Sequence, residues 1–268
     1  MKKLLLATTA LVAFAGIGSA SAADLPVKAP PMAPVAAPVF SWTGFYIGGH
    51  LGYGWQHWET DTFNSAGVLL DSTSGQRQGV FGGGQIGVNY MVAPQFLIGL
   101  EADISASDIK GSFSACTATG CATSDTKVDD FGTIRGRVGY ALDRVLFYGT
   151  GGWAWSHSQT DRRIDCVVAG GGICPGGPSP SPLTGMVASA SGSQNGWTAG
   201  AGIEWAFAQN WTFKVEYLHL QFDNVVRDFN YPNFPTAFRH NVSDNSTDTI
   251  RVGVNWLFNF GGPVVARY

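Results

Sequence analysis

Residues 249–260, TIRVGVNWLFNF, constrain the fold more than any other stretch of this 268-residue chain. Ile250, Val252, Val254, Trp256, Phe258 and Phe260 fall on one side of a period-2 ribbon. Thr249, Arg251, Gly253, Asn255, Leu257 and Asn259 fall on the other. Apolar residues on one face, polar or small ones on the other, and aromatics crowded at one end describe a strand with hydrocarbon outside and a polar interior.

The start of the chain places that strand in context. Lys2 and Lys3 precede an apolar stretch over 4–17, and Ala20-Ser21-Ala22 is a small-residue cleavage site. Residues 1–22 therefore read as a secretory signal, with the mature chain beginning at Ala23. Later apolar stretches are broken by Gly, charged or polar residues, so none has the ~20 residues of a spanning helix. Residues 23–41 carry Pro26, Pro30, Pro31, Pro34 and Pro38 and read as an extended periplasmic tail or linker.

From Trp42 the pattern is all β. Period-2 segments are expected over 45–58, 77–90, 96–106, 129–140, 145–155, 194–207, 211–220 and 249–260. The segment 145–155 is apolar on both faces, which leaves its orientation open. Short connections alternate with long ones, and an open sheet cannot span hydrocarbon with unpaired edges. The expected fold is all-β: an eight-stranded antiparallel up-and-down transmembrane barrel over 42–260, with short periplasmic turns and long extracellular loops. Residues 261–268 form a C-terminal extension. Aromatics at strand ends (Trp42, Phe45, Trp55, Trp58, Tyr90, Phe96, Tyr140, Trp153, Trp155, Trp205, Phe207, Trp211, Phe258 and Phe260) suit interfacial girdles.

The same register puts Glu101, Asp103, Glu204 and Glu216 inside, with Arg135, Arg137, Lys214 and Arg251. An eight-stranded interior is only wide enough for side chains to fill. Charges there need partners, and equal numbers of each sign fit a paired, plugging network. The same residues also support a gate, in which exchanged ion pairs open a narrow path for ions or small solutes.

Removal of Lys2 and Lys3 from the 16 basic residues leaves 14 against 19 acidic ones, with no basic run, so nucleic acid is not an expected partner. Cys116 with Cys121, and Cys166 with Cys174, read as local loop disulfides of an oxidising compartment. Their spacings of four and seven intervening residues do not suit a zinc site, and no metal or cofactor is expected. His57 and His157 lie near strand ends, with Ser156 and Ser158 beside the latter, but no Ser–His spacing dictates a triad, so no enzyme is expected. His50, His57, Tyr46 and Tyr53 are haem- or metal-capable residue types at nonspecific spacing.

The run SASAADLP, the Pro-rich stretch and WTGFYIGGHLGYGW (42–55) resemble the opening of small α-proteobacterial outer-membrane proteins. These are the outer membrane immunogenic protein or porin-like barrels. The resemblance continues in GGGQIGVNY (82–90), FGTIRGRVGYALDRVLFYGTGGWAW (131–155) and TIRVGVNW, essentially across the mature chain. Arg251-x-Gly253-x-x-Trp256-x-Phe258 also looks like the C-terminal signal for outer-membrane insertion. Typical members end at that aromatic, whereas this chain continues with GGPVVARY. The resemblance implies an abundant envelope protein with host-exposed loops. The implied partners are outer-membrane lipids and lipopolysaccharide, the barrel assembly machinery, and host factors or haem, which some relatives bind.

Overall fold

The structure, a computed structural model, describes residues 40–64, 67–117, 120–166, 185–231 and 234–259. The expected signal, nearly all of the Pro-rich linker, Phe260 and the extension over 261–268 lie outside these residues.

Nine strands follow one another: β1 (Gly44–Asn64), β2 (Leu69–Met91), β3 (Phe96–Thr117), β4 (Gly120–Leu142), β5 (Val145–Cys166), β6 (Met186–Ala206), β7 (Trp211–Phe222), β8 (Val225–Tyr231) and β9 (Phe234–Asn259). Each of β1 to β6 pairs antiparallel with the next. β7 and β8 pair with successive halves of β9, so together they make one stave interrupted at residues 223–224. β9 then pairs with β1 from Gly44↔Asn259 to Asn64↔Phe238. The result is a closed ring of eight antiparallel staves, paired at every seam through its basal half, which is how a sheet satisfies its backbone in hydrocarbon; among the described residues no ladder joins β8 to the distal part of β6.

The end at which β1 begins and β9 finishes is called basal here. It carries the tight turns. In the β4–β5 turn Asp143 adopts φ 51°, a left-handed conformation that Asp tolerates, and Trp42 Nε1 donates to its carbonyl at 3.0 Å. The basal half of every stave alternates as expected. Leu51, Val138 and Ile86 stand outward, at 69%, 65% and 59% exposure. The two-sided segment 145–155 resolves with Phe147, Gly149, Gly151 and Trp153 outward and Leu146, Tyr148, Thr150 and Ala154 inward.

The staves run further than the apolar alternation predicts. Much of the expected long loops is ladder: β1 continues to Asn64 and β2 begins at Leu69. Beyond the bilayer both faces of a strand can be polar, so hydropathy stops marking the strand while the hydrogen bonds go on. Irregularities sit where the outward apolar residues end: His57/Glu59 in the β1–β9 pairing, Ala106/Ile109 in β3–β4 and Val128/Asp130 in β4–β5. An extra residue reverses which positions face inward. β4 accordingly switches from inward Thr126 and Val128 to inward Phe131, Thr133 and Arg135.

Two of the expected girdle aromatics are corrected. Trp42 is 1% exposed and lies in an apolar cluster at the basal mouth with Tyr46, Leu97, Leu146 and Leu257. Trp58 is 8% exposed and sits inward over the position of Gly75. Trp58 falls on the even, lumenal parity of β1, and Trp42 precedes the first stave, so neither is bound by the outward pattern.

Candidate functional site: the lumenal charge network

The eight charged residues expected inside the barrel all point inward, and each is at most 4% exposed. They come from β3 (Glu101, Asp103), β4 (Arg135, Arg137), β6 (Glu204), β7 (Lys214, Glu216) and β9 (Arg251). Register brings them to one level: Glu101 lies opposite Arg135, Glu204 opposite Lys214, and Glu216 opposite Arg251.

Glu101 is the hub. Lys214 Nζ donates to both its oxygens at 2.9 Å, Arg135 Nη2 contacts Oε1 closely, and Arg251 Nη2 lies 3.2 Å from the same atom. Arg137 Nη1 and the Tyr46 hydroxyl donate to Oε2 at 3.3 and 2.7 Å. Around the hub, Arg135 reaches Glu216 and Asp103 at 3.0 Å each, and Arg137 reaches Glu204 at 2.7 Å. Arg251 pairs with Glu216. It also lies 3.2 Å from Asp103 Oδ1, an ion pair without hydrogen-bond alignment.

Neutral side chains extend the network, though Arg137 Nε and Tyr148 Oη find no hydrogen-bond partner among the described residues, and the sequence reading did not identify most of these roles. Thr212 and Asn255 donate to Glu204 Oε1 at 2.5 and 2.8 Å, and Thr133 donates to Asp103 at 2.5 Å. Gln85 donates to Asn255 Oδ1 at 2.5 Å and accepts from His50 Nδ1 at 3.0 Å, so His50 Nε2 accepts from Ser105 at 2.7 Å. The Arg137 guanidinium stacks 4.0 Å from the Tyr148 ring centroid. Room for these rings comes from glycine: a Cβ on Gly87 would strike Tyr46, and one on Gly202 would lie 2.5 Å from Tyr148 Oη.

Charged and polar groups so thoroughly dehydrated are stable only when mutually satisfied. An apolar cluster lies on each side of the layer. The basal cluster around Trp42 and Leu97 lies at one end. On the distal side Phe81, Ile109, Val128, Phe131, Leu218, Leu220 and Phe222 form a second apolar layer inside the lumen. Inward apolar residues in a supposedly polar interior break the expected alternation, and for that reason the second layer escapes a pattern search.

The remaining expected residues fall as follows. Arg251 and Gly253 of the insertion-signal pattern face inward, while Trp256 and Phe258 face outward, with Trp256 edge-on to Trp211 at 4.7 Å. Cys121 is disulfide-bonded, and Cys116 stands directly opposite it in the β3–β4 register, on strands rather than in a loop. Cys166 is the last residue of β5, and Cys174 lies outside the described residues. The haem-capable set is divided by the wall: His50 and Tyr46 are lumenal, whereas His57 and Tyr53 face outward. They do not meet on one ligand.

On the outer wall Ser193 Oγ lies 2.8 Å from His157 Nε2, and His157 Nδ1 is 3.9 Å from Asp130. The first distance fits a nucleophile and base. The second is too long for a hydrogen bond, and the ladder holds the neighbouring backbone amides that an oxyanion would need. Neither Ser156 nor Ser158 is the histidine's partner; both point inward.

The sequence pattern of the outer membrane protein beta-barrel domain matches residues 10–258. The chain is 35% identical to the 31 kDa outer-membrane immunogenic protein of Brucella melitensis biotype 1, over 96% of this chain and 100% of that protein. It is 31% identical to the 25 kDa outer-membrane immunogenic protein of Brucella canis, over 96% and 99%. Among solved structures it is similar to the outer membrane protein OprG of Pseudomonas aeruginosa (TM-score 0.42, 12% identity, 81% of this chain and 97% of that chain). A second is the outer membrane protease OmpT of Escherichia coli (TM-score 0.48, 9% identity, 83% and 99%). At that identity the protease's chemistry does not transfer to this chain.

Proposed function

This chain belongs to the outer membrane protein beta-barrel domain family, and from that premise we propose that it is a sealed, surface-displayed barrel whose lumen is a structural plug. It is a bacterial outer-membrane β-barrel protein, a homologue of outer-membrane immunogenic proteins. The observation that carries the plug reading is the charge layer itself: four acids and four bases, each at most 4% exposed, held between two apolar layers. An ion entering such a layer would have to displace a bound partner in a dehydrated setting, which costs several kcal/mol. The role is then one of envelope structure and surface contact. Its partners are the surrounding lipids and lipopolysaccharide, the assembly machinery during insertion, and host molecules at the distal rim.

The test is conductance of the refolded protein in planar bilayers. The plug reading expects no stepwise current. Discrete openings in the wild type, abolished by Arg135→Ala, would replace it with the gated channel.

A further inference from the structure

Distal to the second apolar layer the described lumenal charges are cationic. Among the described residues, the inward charged side chains there are Arg77 on β2, Arg162 on β5 and Arg227 on β8, with no carboxylate. The acids at this level, such as Asp108, Asp129 and Asp165, stand on the outer wall and pair locally with Lys110, Lys127 and Arg163.

Arg227 is 8% exposed, and its Nη1 and Nη2 donate to Thr160 at 3.0 Å and Ser158 at 2.7 Å, while its Nε has no acceptor. Arg77 donates to Gln56 Oε1 at 3.3 Å and lies 4.6 Å over the Trp58 ring. Trp58 Nε1, equally buried, also lacks an acceptor. Neither Arg77 nor Arg227 has a carboxylate in ion-pair range among the described residues. A guanidinium does not escape such a site by losing its proton near neutral pH, so an anion is the chemistry that would compensate it.

We propose that the distal lumen is an anion-binding site at which Arg77 and Arg227, with the Trp58 indole N–H, take a phosphate-type oxyanion presented from outside the cell. The forked donors of arginine suit phosphate oxygens, and the apolar layer beneath stops the anion from passing through. The oxyanion has two sources, a soluble phosphate or the phosphate of a lipid headgroup.

The test is calorimetric titration of the refolded full chain at low salt with inorganic pyrophosphate, and in a second arm with detergent micelles doped with phosphatidic acid. Saturable binding in the first arm assigns a soluble ligand, and binding in the second alone assigns a headgroup. In either case Arg77→Gln and Arg227→Gln each weaken binding by roughly 10- to 100-fold, the loss of one charge-assisted contact. The double variant abolishes it, and Arg163→Gln on the outer wall leaves it unchanged. Arg227→Lys distinguishes a ligand from a structural role: it loses the fork to Ser158 and Thr160 but keeps the charge, so it retains more binding than Arg227→Gln. Heat-modifiable migration verifies that each variant is folded. No saturable binding in either arm, undiminished binding by the folded double variant, or equal loss in Arg227→Lys and Arg227→Gln overturns the proposal. None of these outcomes bears on conductance, which tests the plug separately.

Discussion

Glu101→Gln removes the one carboxylate on which four cations lean, and the structure says where the cost falls. Arg135 keeps Glu216 and Asp103, Arg137 keeps Glu204, and Arg251 keeps Glu216 and Asp103. Among the described residues Lys214 hydrogen-bonds only to Glu101, so the substitution leaves a buried ammonium without a hydrogen-bonded carboxylate, with Glu216 as its remaining anionic neighbour. Leaving one buried ion uncompensated costs about 3–5 kcal/mol. Replacing both members of a pair by neutral groups of similar volume is close to neutral. Glu101→Gln with Lys214→Met should therefore return to within about 1–2 kcal/mol of wild type. The assay is urea unfolding in phospholipid vesicles, followed by the loss of heat-modifiable migration, for both single variants and the double variant. A loss below about 1 kcal/mol for Glu101→Gln would refute the dehydrated hub. So would a double variant as unstable as Glu101→Gln, because the stranded Lys214 would then not be the source of the cost.

Three further outcomes follow from the packing. Gly202→Ala should cost about 1–3 kcal/mol, because its Cβ would sit 2.5 Å from Tyr148 Oη and 2.8 Å from the Val215 carbonyl; Gly49→Ala, whose nearest atom is 3.6 Å away, serves as the control in the same unfolding assay. Val138→Lys, on the outward wall of the basal half, should lose about 2–4 kcal/mol in vesicles, while Gln159→Lys beyond the apolar belt stays within about 0.5 kcal/mol. Phe131→Ala, which removes the ring packed 5.0 Å from Phe81, should cost about 3–5 kcal/mol by equilibrium unfolding and yet carry no current in bilayers, because the charge layer beneath remains closed.

The basal half of the barrel was legible in the sequence because the bilayer enforces a pattern there. Ile250 and Arg251 can only face opposite ways, and the same holds for Leu100 and Glu101. Where solvent replaces lipid the constraint lapses, so the ladder from Glu59 to Asn64 looks like loop although it is strand. The bulge at Val128/Asp130 shifts the parity of β4 without a mark in composition. The charged members of the network were readable, since an inward Glu or Arg stands out against alternating apolar residues. Thr212, Asn255 and Tyr148 were not, because their roles depend on which strands become neighbours and at what register. The apolar floor was hidden for a related reason: Leu218 and Leu220 occupy lumenal positions that ordinarily signal polarity.

Ring closure has a kinetic consequence. The seam joins β1 to β9, elements about as far apart along the chain as two strands of this ring can be. Contacts of such sequence separation form late, because the loop entropy must be met first. The charge layer draws on five strands, and Arg251 arrives on the last of them. Until that strand docks, Glu216 and Asp103 lack one of their cations and remain better served by water. Dehydration of the lumen and closure of the wall are thus a single step. A chain stalled before it is an open, hydrated sheet with its polar face still wet, and the finished barrel reopens only by giving up both at once.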